Sequence, residues 1–413
     1  MEKKTRLHIF SALKYHDYRL LWLGQGISLI GTQMQMVGVN WHMYQLTKSP
    51  AMLGVLGLSR FIPILIFGLI AGSFADSRNR KKLLVITQSL MAIFSLLLVV
   101  ATHVQVITPF LIIALSIAIA MANSFDMPAR QALATGLVDR KDLAHAISIG
   151  NIMFYIASIT GPALSGFVIA KAGVEGVYLF NTLSFLGVIV ALFRIHHSGE
   201  VSGGTSRSFS FQSVVEGVRF VRSKTIIWST MLLDFFSTFF ASASALLPVF
   251  AQTILHVGPV GLGLLYAAES IGAVIATVGL VQMGKVRQQG KVLLSAVVVY
   301  AIGTILFGFS HMFALSFLGL LLIGAGDGVS AIIRNNIRHL ATPDYIRGRM
   351  TAINMIFFMG GPQLGEFEAG ILAAAIGASS SVVIGGVGTL LVVAVMASII
   401  PVLRNYENQD EIL

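Results

Sequence analysis

Six carboxyl groups interrupt the long apolar stretches of this sequence, where an ionised side chain is costly. They are Asp126, Asp234, Glu269, Asp327, Glu366 and Glu368. An acid in such surroundings is by default a functional candidate, because it can bind an ion, a proton or a charged substrate. The sequence therefore offers Asp234, Glu269, Asp327, Asp126 and Glu366 as candidates for carrying a proton.

Helical spacing places cations beside two of these acids. At about 100° per residue, Asp126 and Arg130 share one helix face, and Asp327 shares a face with Arg334 and Arg338. A neighbouring cation stabilises an ionised carboxylate. A static ion pair is therefore an equally open interpretation of Asp126 and Arg130.

Two acids have no cation nearby on their own helix, and we predict that they exchange protons. Asp234 is accompanied by Ser237 and Thr238, and Glu269 lies in the middle of its apolar stretch. Arg60 is a basic residue in a second apolar stretch. It is predicted to face protein or water, or alternatively to extend to the outer membrane surface.

A polar stripe follows the first apolar stretch, within roughly a 100° sector of a helix. Its members are Gln25, Thr32, Gln33, Met36 and Asn40. The stripe fits a substrate surface, although hydrogen bonds between helices explain it nearly as well. With Arg60, Arg130 and Arg334, the residues Gln25, Gln33, Met36 and Asn40 form the predicted set of substrate contacts.

The elements that carry these residues are membrane helices. Hydrophobic residues make up 55% of the 413 positions and charged residues 11%, less than half of the roughly 25% charged residues in soluble proteins. Twelve apolar stretches are long enough to cross a bilayer. They are 20–46, 50–76, 82–102, 109–137, 142–170, 176–195, 225–254, 259–284, 291–309, 313–340, 346–374 and 379–403.

The positive charge is distributed by membrane side. The net charge is +10, yet only Lys48 and Lys171 fall in loops on one side and Arg60 lies within a helix. The remaining 25 of the 28 basic residues cluster towards the other side, which marks it as cytoplasmic. We expect a multi-pass protein of the bacterial inner membrane with both termini in the cytoplasm, no cleaved signal and no nucleic-acid partner.

Catalytic and metal-binding patterns are not found. The chain has no cysteine, its histidines lack the HExxH spacing, and no GxxxxGK[ST] loop is present. We therefore predict no enzyme activity, no cofactor, no metal site and no nucleotide-driven pumping by this chain alone.

The predicted helices fall into two similar halves, 1–195 and 225–413, joined by a linker at 196–224. Gly161-Pro162-x-x-x-Gly166 in the first half is matched by Gly361-Pro362-x-x-Gly365 in the second. The basic segments SRNRKKLL and VRQQGKVLL and the ends of helices 4 and 10 also correspond, in the same order. Two six-helix halves are typical of transporters.

The linker contains a predicted amphipathic helix. Its apolar face consists of Phe211, Val214, Val215, Val218 and Val221, and its polar face of Gln212, Glu216, Arg219 and Arg222. A helix of this kind lies on the membrane surface. A plain soluble linker helix is the alternative.

The loop between helices 2 and 3 resembles the signature G-x-x-x-D-R-x-G-R-[RK] of the major facilitator superfamily. Gly72, Asp76, Arg80 and Lys81 match it, whereas Ser77 and Asn79 replace the usual arginine and glycine. The resemblance implies the twelve-helix all-α fold of two pseudo-symmetric bundles, with helices 1, 4, 7 and 10 lining the cavity. It also implies that the loop controls the conformational switch.

Longer stretches narrow the resemblance to the enterobactin-exporter and macrolide-efflux branch, the transmembrane secretion effectors. They include DYRLLWLGQGISLIG, LLPVFAQTILHVGPVGLGLLYAAESIGA and RGRMTAIN. The segment Gly161-Pro162-Ala-Leu-Ser165-Gly166 is similar to the G-P-x-x-G-G antiporter motif, with Ser165 in place of one glycine. A helix that is merely kinked at Pro162 is the alternative.

The resemblance implies secondary active export of a bulky amphiphilic molecule, a siderophore or a drug, by proton antiport and alternating access. Its partners would be the small-molecule substrate, protons and the lipid bilayer, and we expect a monomer. An importer or facilitator of a small metabolite, and a lipid or lysolipid flippase, remain alternatives. A receptor is disfavoured because the loops leave no room for a signalling domain.

Overall fold

The computed structural model describes residues 8–199, 211–284 and 286–407, and no strand occurs among them. A short 3-10 helix, His8–Lys14, precedes four helices whose bounds lie within a few residues of the predicted ones. These are α1 (His16–Thr47), α2 (Pro50–Ser77), α3 (Arg80–His103) and α4 (Pro109–Gly136). Helix α4 begins as its sequence predicts, because Thr108 accepts the Leu111 N–H and Pro109 occupies the first turn.

Predicted helices 5 and 6 form one long stretch, α5 (Leu143–Arg194), with a break at Gly173. Its 52 residues would extend about 78 Å as one helix, more than twice the roughly 30 Å hydrocarbon core. Gly173 has φ 67° and ψ −177°, a conformation open to glycine and not to a helix. The predicted loop between residues 170 and 176, which contains Lys171, is therefore replaced by a break at the single residue Gly173.

In the second half, the linker helix is followed among the described residues by six helices of 16 residues or more. The elements are α6 (Phe211–Ser223), α7 (Thr225–Phe240), α8 (Gly258–Gln282), α9 (Gln289–Phe309), α10 (Phe313–Leu340), α11 (Asp344–Ile376) and α12 (Ala378–Ile399). In the described part of the chain, nine helical stretches are long and apolar enough to span a membrane, and one of them is the double-length Arg140–Arg194.

Predicted helix 7 has the bounds of the apolar stretch Thr225–Ile254, but its regular α-helix ends at Phe240. The chain continues as a 3-10 turn, Ala243–Leu246, and a π-helical turn, Phe250–Ile254. The Ser244 carbonyl accepts the Leu247 N–H within this turn, and the Tyr266 hydroxyl donates to the same carbonyl at 3.1 Å. Tyr300 donates to the Ala241 carbonyl at 3.2 Å. These hydroxyls add to the backbone hydrogen bonds that the two carbonyls already accept.

Internal contacts group the described residues into two compact units. One comprises the described parts of Met1–His42 and Ile62–Phe209, and the other those of Met43–Phe61 and Ser210–Leu413. We call them the N-terminal and C-terminal units. The end of α1 and the first part of α2 belong to the C-terminal unit, an assignment that helix order alone does not predict.

The repeated Gly-Pro segments pack in equivalent ways within each unit. A Cβ atom at Gly161 of α5 would lie 2.6 Å from the Gln33 Cβ of α1, and the Ser165 hydroxyl donates to the Met34 carbonyl at 2.9 Å. In the other unit, a Cβ atom at Gly361 of α11 would lie 3.0 Å from the Phe235 carbonyl oxygen of α7. Small residues therefore allow close helix approach at both copies of the motif.

Substitution at Gly324 tests this close packing between α8 and α10. A Cβ atom there would overlap the backbone oxygen of Glu269, so we expect Gly324→Ala to lower the free energy of unfolding by about 1–3 kcal/mol. Gly279→Ala on α8 is the matched control, because no atom lies within 4 Å of its added methyl group. Equal thermal stability of the two variants would contradict tight packing at Gly324.

Candidate functional site

The C-terminal unit contains a buried charge cluster centred on Arg334. The Arg334 Nη2 atom lies 2.9 Å from Asp234 Oδ1 and 3.5 Å from Asp327 Oδ1. Arg338 Nη1 lies 3.9 Å from the other oxygen of Asp234. Asp234, Arg334 and Arg338 are each at most 3% exposed, so the cluster connects α7 to α10 inside the unit.

The prediction that Asp234 has no nearby cation is therefore wrong. Its own helix supplies none, but α10 brings Arg334 and Arg338 to it from about a hundred residues further along the chain. The predicted pairing of Asp327 with Arg334 exists. Arg338, however, donates to the side chains of Asn335 and Asn354. Helical periodicity describes neighbours on one helix and carries no information about the neighbouring helix.

Glu269 differs from Asp234 in its surroundings. It is half-buried on α8, and the charged groups that act on it are the acids Asp327 and Glu366. Within the described residues, Glu269 forms no ion pair with a cation. A change in its protonation would therefore break no ion pair among these residues, and its role as a proton carrier stays a prediction.

Glu366 on α11 faces the first part of α2. A Cβ atom at Gly57 would come within 3.0 Å of the Glu366 Cβ, and Arg60 acts electrostatically on the Glu366 carboxyl. This partner agrees with the prediction that Arg60 faces protein. Glu368, two residues further along, is half-buried.

The N-terminal unit has a smaller charge site on α4. Asp126 is fully buried and forms an ion pair with Arg130 one turn later. Its Oδ1 atom also accepts hydrogen bonds from Thr87 and Gln88 of α3, both at 2.8 Å. All these contacts hold the carboxylate in place, which supports the static ion pair that the sequence leaves open.

The polar stripe of α1 is divided between helix packing and a more open surface. Gln33 donates to the Ser158 hydroxyl of α5 at 3.0 Å, and Gln25 is buried. Met36 and Asn40 are half-buried. A network through Gln35 was not predicted.

Gln35 accepts hydrogen bonds from Ser95 of α3 at 2.9 Å and from Asn181 of α5 at 2.8 Å. The sequence does contain a signal for this network, because Gln35, Ser95 and Asn181 are each polar residues within an apolar stretch. Buried amides in lipid are expected to find such partners.

The signature loop binds the carboxyl ends of neighbouring helices. Arg80 donates to the Ala132 carbonyl of α4 at 3.1 Å, and Lys81 to the Ile195 carbonyl at the end of α5 at 2.7 Å. Cations are favoured there by the helix dipole. A Cβ atom at Gly72 would meet nothing within 4 Å, and the side chain of Asp76 lies outside the described residues.

Asn79, which replaces the usual glycine of this loop, has a clear role. Its side-chain oxygen accepts the Lys82 N–H and caps the start of α3. Its amide group donates to the Ser198 carbonyl at 2.8 Å. The departure from the family pattern thus adds a cap and a contact with the chain that follows α5.

A second polar cluster connects the segment before α1 to the start of α5. The Asp142 carboxylate accepts hydrogen bonds from Ser11 at 2.8 Å, Lys14 at 2.6 Å and Tyr15 at 2.8 Å. The hydrogen bond to Asp142 is the largest influence on Lys14 and raises the pKa of its ammonium group. Lys14 contributes its ion pair to the cluster only while it is protonated.

Substitution of Lys14 tests this cluster. Because the folded pKa is raised, the contribution of Lys14 is complete below its unfolded pKa of about 10.4 and is lost as the pH rises through the folded value. We expect Lys14→Met to lower the melting temperature by a few degrees, by an equal amount at about pH 6 and pH 9. Lys82→Met, at an exposed lysine of the same unit, should change little. A difference that disappears at the lower pH would contradict the assignment.

The predicted amphipathic helix is present as α6 and packs against α11. Gly217 and Val221 are buried, a Cβ atom at Gly217 would lie 2.9 Å from Ile353, and Glu216 forms an ion pair with Arg349. Val215 and Val218 of the predicted apolar face remain exposed, and contact of this face with the membrane surface stays a prediction. The side chains of Phe211, Gln212 and Val214 lie outside the described residues.

The sequence pattern of the transmembrane secretion effectors, a family of the major facilitator superfamily, matches residues 8–412. The chain belongs to this family. The predicted resemblance is thereby confirmed, and with it a multi-pass membrane transporter built from α-helices.

Individual relatives are similar over most of their length. The multidrug efflux pump Tap of Mycolicibacterium fortuitum is 24% identical, over 91% of this chain and 94% of its own. The enterobactin exporter EntS of Citrobacter koseri is 23% identical, over 98% of this chain and 97% of its own. A crystal structure of a mutant nucleoside transporter NupG superposes with a TM-score of 0.77 at 12% identity, covering 93% of this chain and all of NupG. It confirms the fold.

Proposed function

We propose that the protein exports a bulky amphiphilic organic molecule, a siderophore or a drug-like compound, across the bacterial inner membrane. The observation that carries the proposal is similarity along 98% of the chain to a protein named as an exporter. A second similar protein is named as an efflux pump. The uneven distribution of basic residues supports termini in the cytoplasm.

Proton antiport is the proposed source of energy. Each charge that moves inward gains about 2.3 kcal/mol per 100 mV of membrane potential, and each pH unit adds about 1.4 kcal/mol. The carrier must be a carboxyl group that can be protonated inside the membrane region. Glu269 meets this requirement best, because it has no paired cation among the described residues, whereas Asp234 is bonded to Arg334.

The remaining acids each lie near a cation and therefore rank below Glu269. Asp126 and Asp234 hold structural ion pairs. The Asp327 side chain is 51% exposed and lies 3.5 Å from Arg334, which makes it the second candidate for proton transfer. Glu366, next to Arg60, is the third.

Transport in everted membrane vesicles tests the proposal. Vesicles containing the protein should accumulate enterobactin or a macrolide antibiotic when the vesicle interior is more acidic than the outside. Accumulation should stop when an uncoupler removes the gradient. Vesicles without the protein should not accumulate either compound. If the compound only equilibrates across the membrane whatever the gradient, the protein is a facilitator. If only a fluorescent lipid moves, it is a flippase. Either result would overturn proton-driven export.

A further inference from the structure

Two histidines and an aspartate meet where α1 begins and α5 has just ended. His16 and Asp17 are the first residues of α1, and His196 follows Arg194 by two positions. The Nδ1 atoms of His16 and His196 lie 3.2 Å and 3.4 Å from the same oxygen, Asp17 Oδ1. One ligand atom from each residue falls within 4.8 Å of the others.

The two nitrogen–oxygen separations match the edges of a small metal-coordination tetrahedron. With metal–nitrogen and metal–oxygen distances of about 2.0–2.1 Å, adjacent ligand atoms lie about 3.3–3.4 Å apart. Two imidazoles and one carboxylate occur at Zn²⁺ sites that keep a fourth position for water. Imidazole ligands select first-row transition metals over Mg²⁺ and Ca²⁺.

The carboxylate is already oriented for this purpose. Asp17 Oδ2 accepts the backbone N–H groups of His196 at 3.0 Å and His197 at 2.9 Å. Its other oxygen, Oδ1, therefore faces the two imidazoles. Hydrogen bonds that fix a ligand in this way raise metal affinity.

Solvent can reach the three residues. They line an open cavity of about 490 Å³ together with Tyr15 and Leu137. The side chains of His16 and His196 are 56% and 85% exposed, whereas that of Asp17 is 20% exposed. An ion can thus enter without opening the helix bundle.

The geometry points to a divalent transition-metal site formed by His16, Asp17 and His196, with Zn²⁺ as the ion that fits its ligands best. The bound ion would connect the first turn of α1 to the chain after α5, residues 179 positions apart. It would stabilise the N-terminal unit at the end where Asn79 and Arg80 also contact residues 198 and 199. Sequence spacing does not reveal such a site, because its ligands converge only in the folded chain.

Calorimetry on the full-length protein tests the site. The protein is purified with a tag free of histidine, stripped with EDTA and titrated with Zn²⁺. We expect one ion per chain, and a loss of affinity of at least about 100-fold in His16→Ala and in His196→Ala. His196→Ala leaves the backbone N–H groups that bind Asp17 in place, so this variant should still fold.

His103→Ala is the matched control. His103 forms an exposed pair with Glu175 at 3.1 Å, but it has no second imidazole, so the Zn²⁺ affinity should be unchanged. Zn²⁺ should also raise the melting temperature of the wild type and His103→Ala, and not that of the His16→Ala/His196→Ala double variant. Co²⁺ should give the visible absorption bands of four-coordination only where both histidines are present.

Two results would overturn the site. One is equal Zn²⁺ affinity in the wild type and the double variant, and the other is no binding by the folded wild type. Neither result bears on export, since none of these measurements depends on transport.

Discussion

Glu269→Gln is expected to abolish proton-driven accumulation while exchange of substrate across the membrane continues. Glutamine is close in shape to a protonated glutamate and cannot release a proton. A one-for-one exchange driven by one pH unit gives about tenfold accumulation, since both correspond to about 1.4 kcal/mol. The variant should therefore show no accumulation above equilibrium.

Counterflow and pH-driven transport are measured in the same proteoliposomes. Counterflow reports that the variant still binds and moves substrate, so its failure to use the gradient is specific. Glu175→Gln serves as the control, because Glu175 lies at an exposed position beside His103. Full gradient-driven transport by Glu269→Gln would refute the assignment, and Asp327 would be the next acid to substitute.

Arg334→Ala should have the largest effect on stability. It would leave Asp234, which is 1% exposed, without the cation that lies 2.9 Å away. Breaking a buried ion pair by removing one partner typically costs about 3–5 kcal/mol. We expect a matching loss in the free energy of unfolding, measured in mixed micelles with a chemical denaturant.

Arg287→Ala is the matched control in the same unit. Arg287 lies 3.7 Å from Glu407, and both side chains are well exposed, so its loss should cost at most about 1 kcal/mol. The double variant Asp234→Asn/Arg334→Gln removes both charges and should recover part of the lost stability. Equal losses in Arg334→Ala and Arg287→Ala would show that the buried pair has no special role.

Helix positions were largely predictable from the sequence because each span must satisfy one local requirement, an apolar length that matches the bilayer. The bounds of α2, α4 and α10 agree with the predicted ones to within one residue. One exception follows α7, where the regular helix ends at Phe240 and the chain continues in 3-10 and π-helical turns. A tyrosine of another helix donates to the Ser244 carbonyl there, and the sequence does not show this contact.

The candidate site was only partly predictable, because contacts within one helix follow from the sequence and contacts between helices do not. Pairs within one helix, such as Asp126 with Arg130, follow from the residues per turn. Pairs between helices, such as Asp234 with Arg334 and Gln35 with Asn181, depend on which faces meet. A single sequence does not contain that information in any local pattern.

The matching Gly-Pro segments on α5 and α11 have an evolutionary consequence. A chain with six spans returns to the side from which it started, so a second copy fused behind it enters the membrane in the same orientation. A tandem gene duplication could therefore produce both halves without adding or losing a span. An ancestor with an odd number of spans would have placed its second copy upside down.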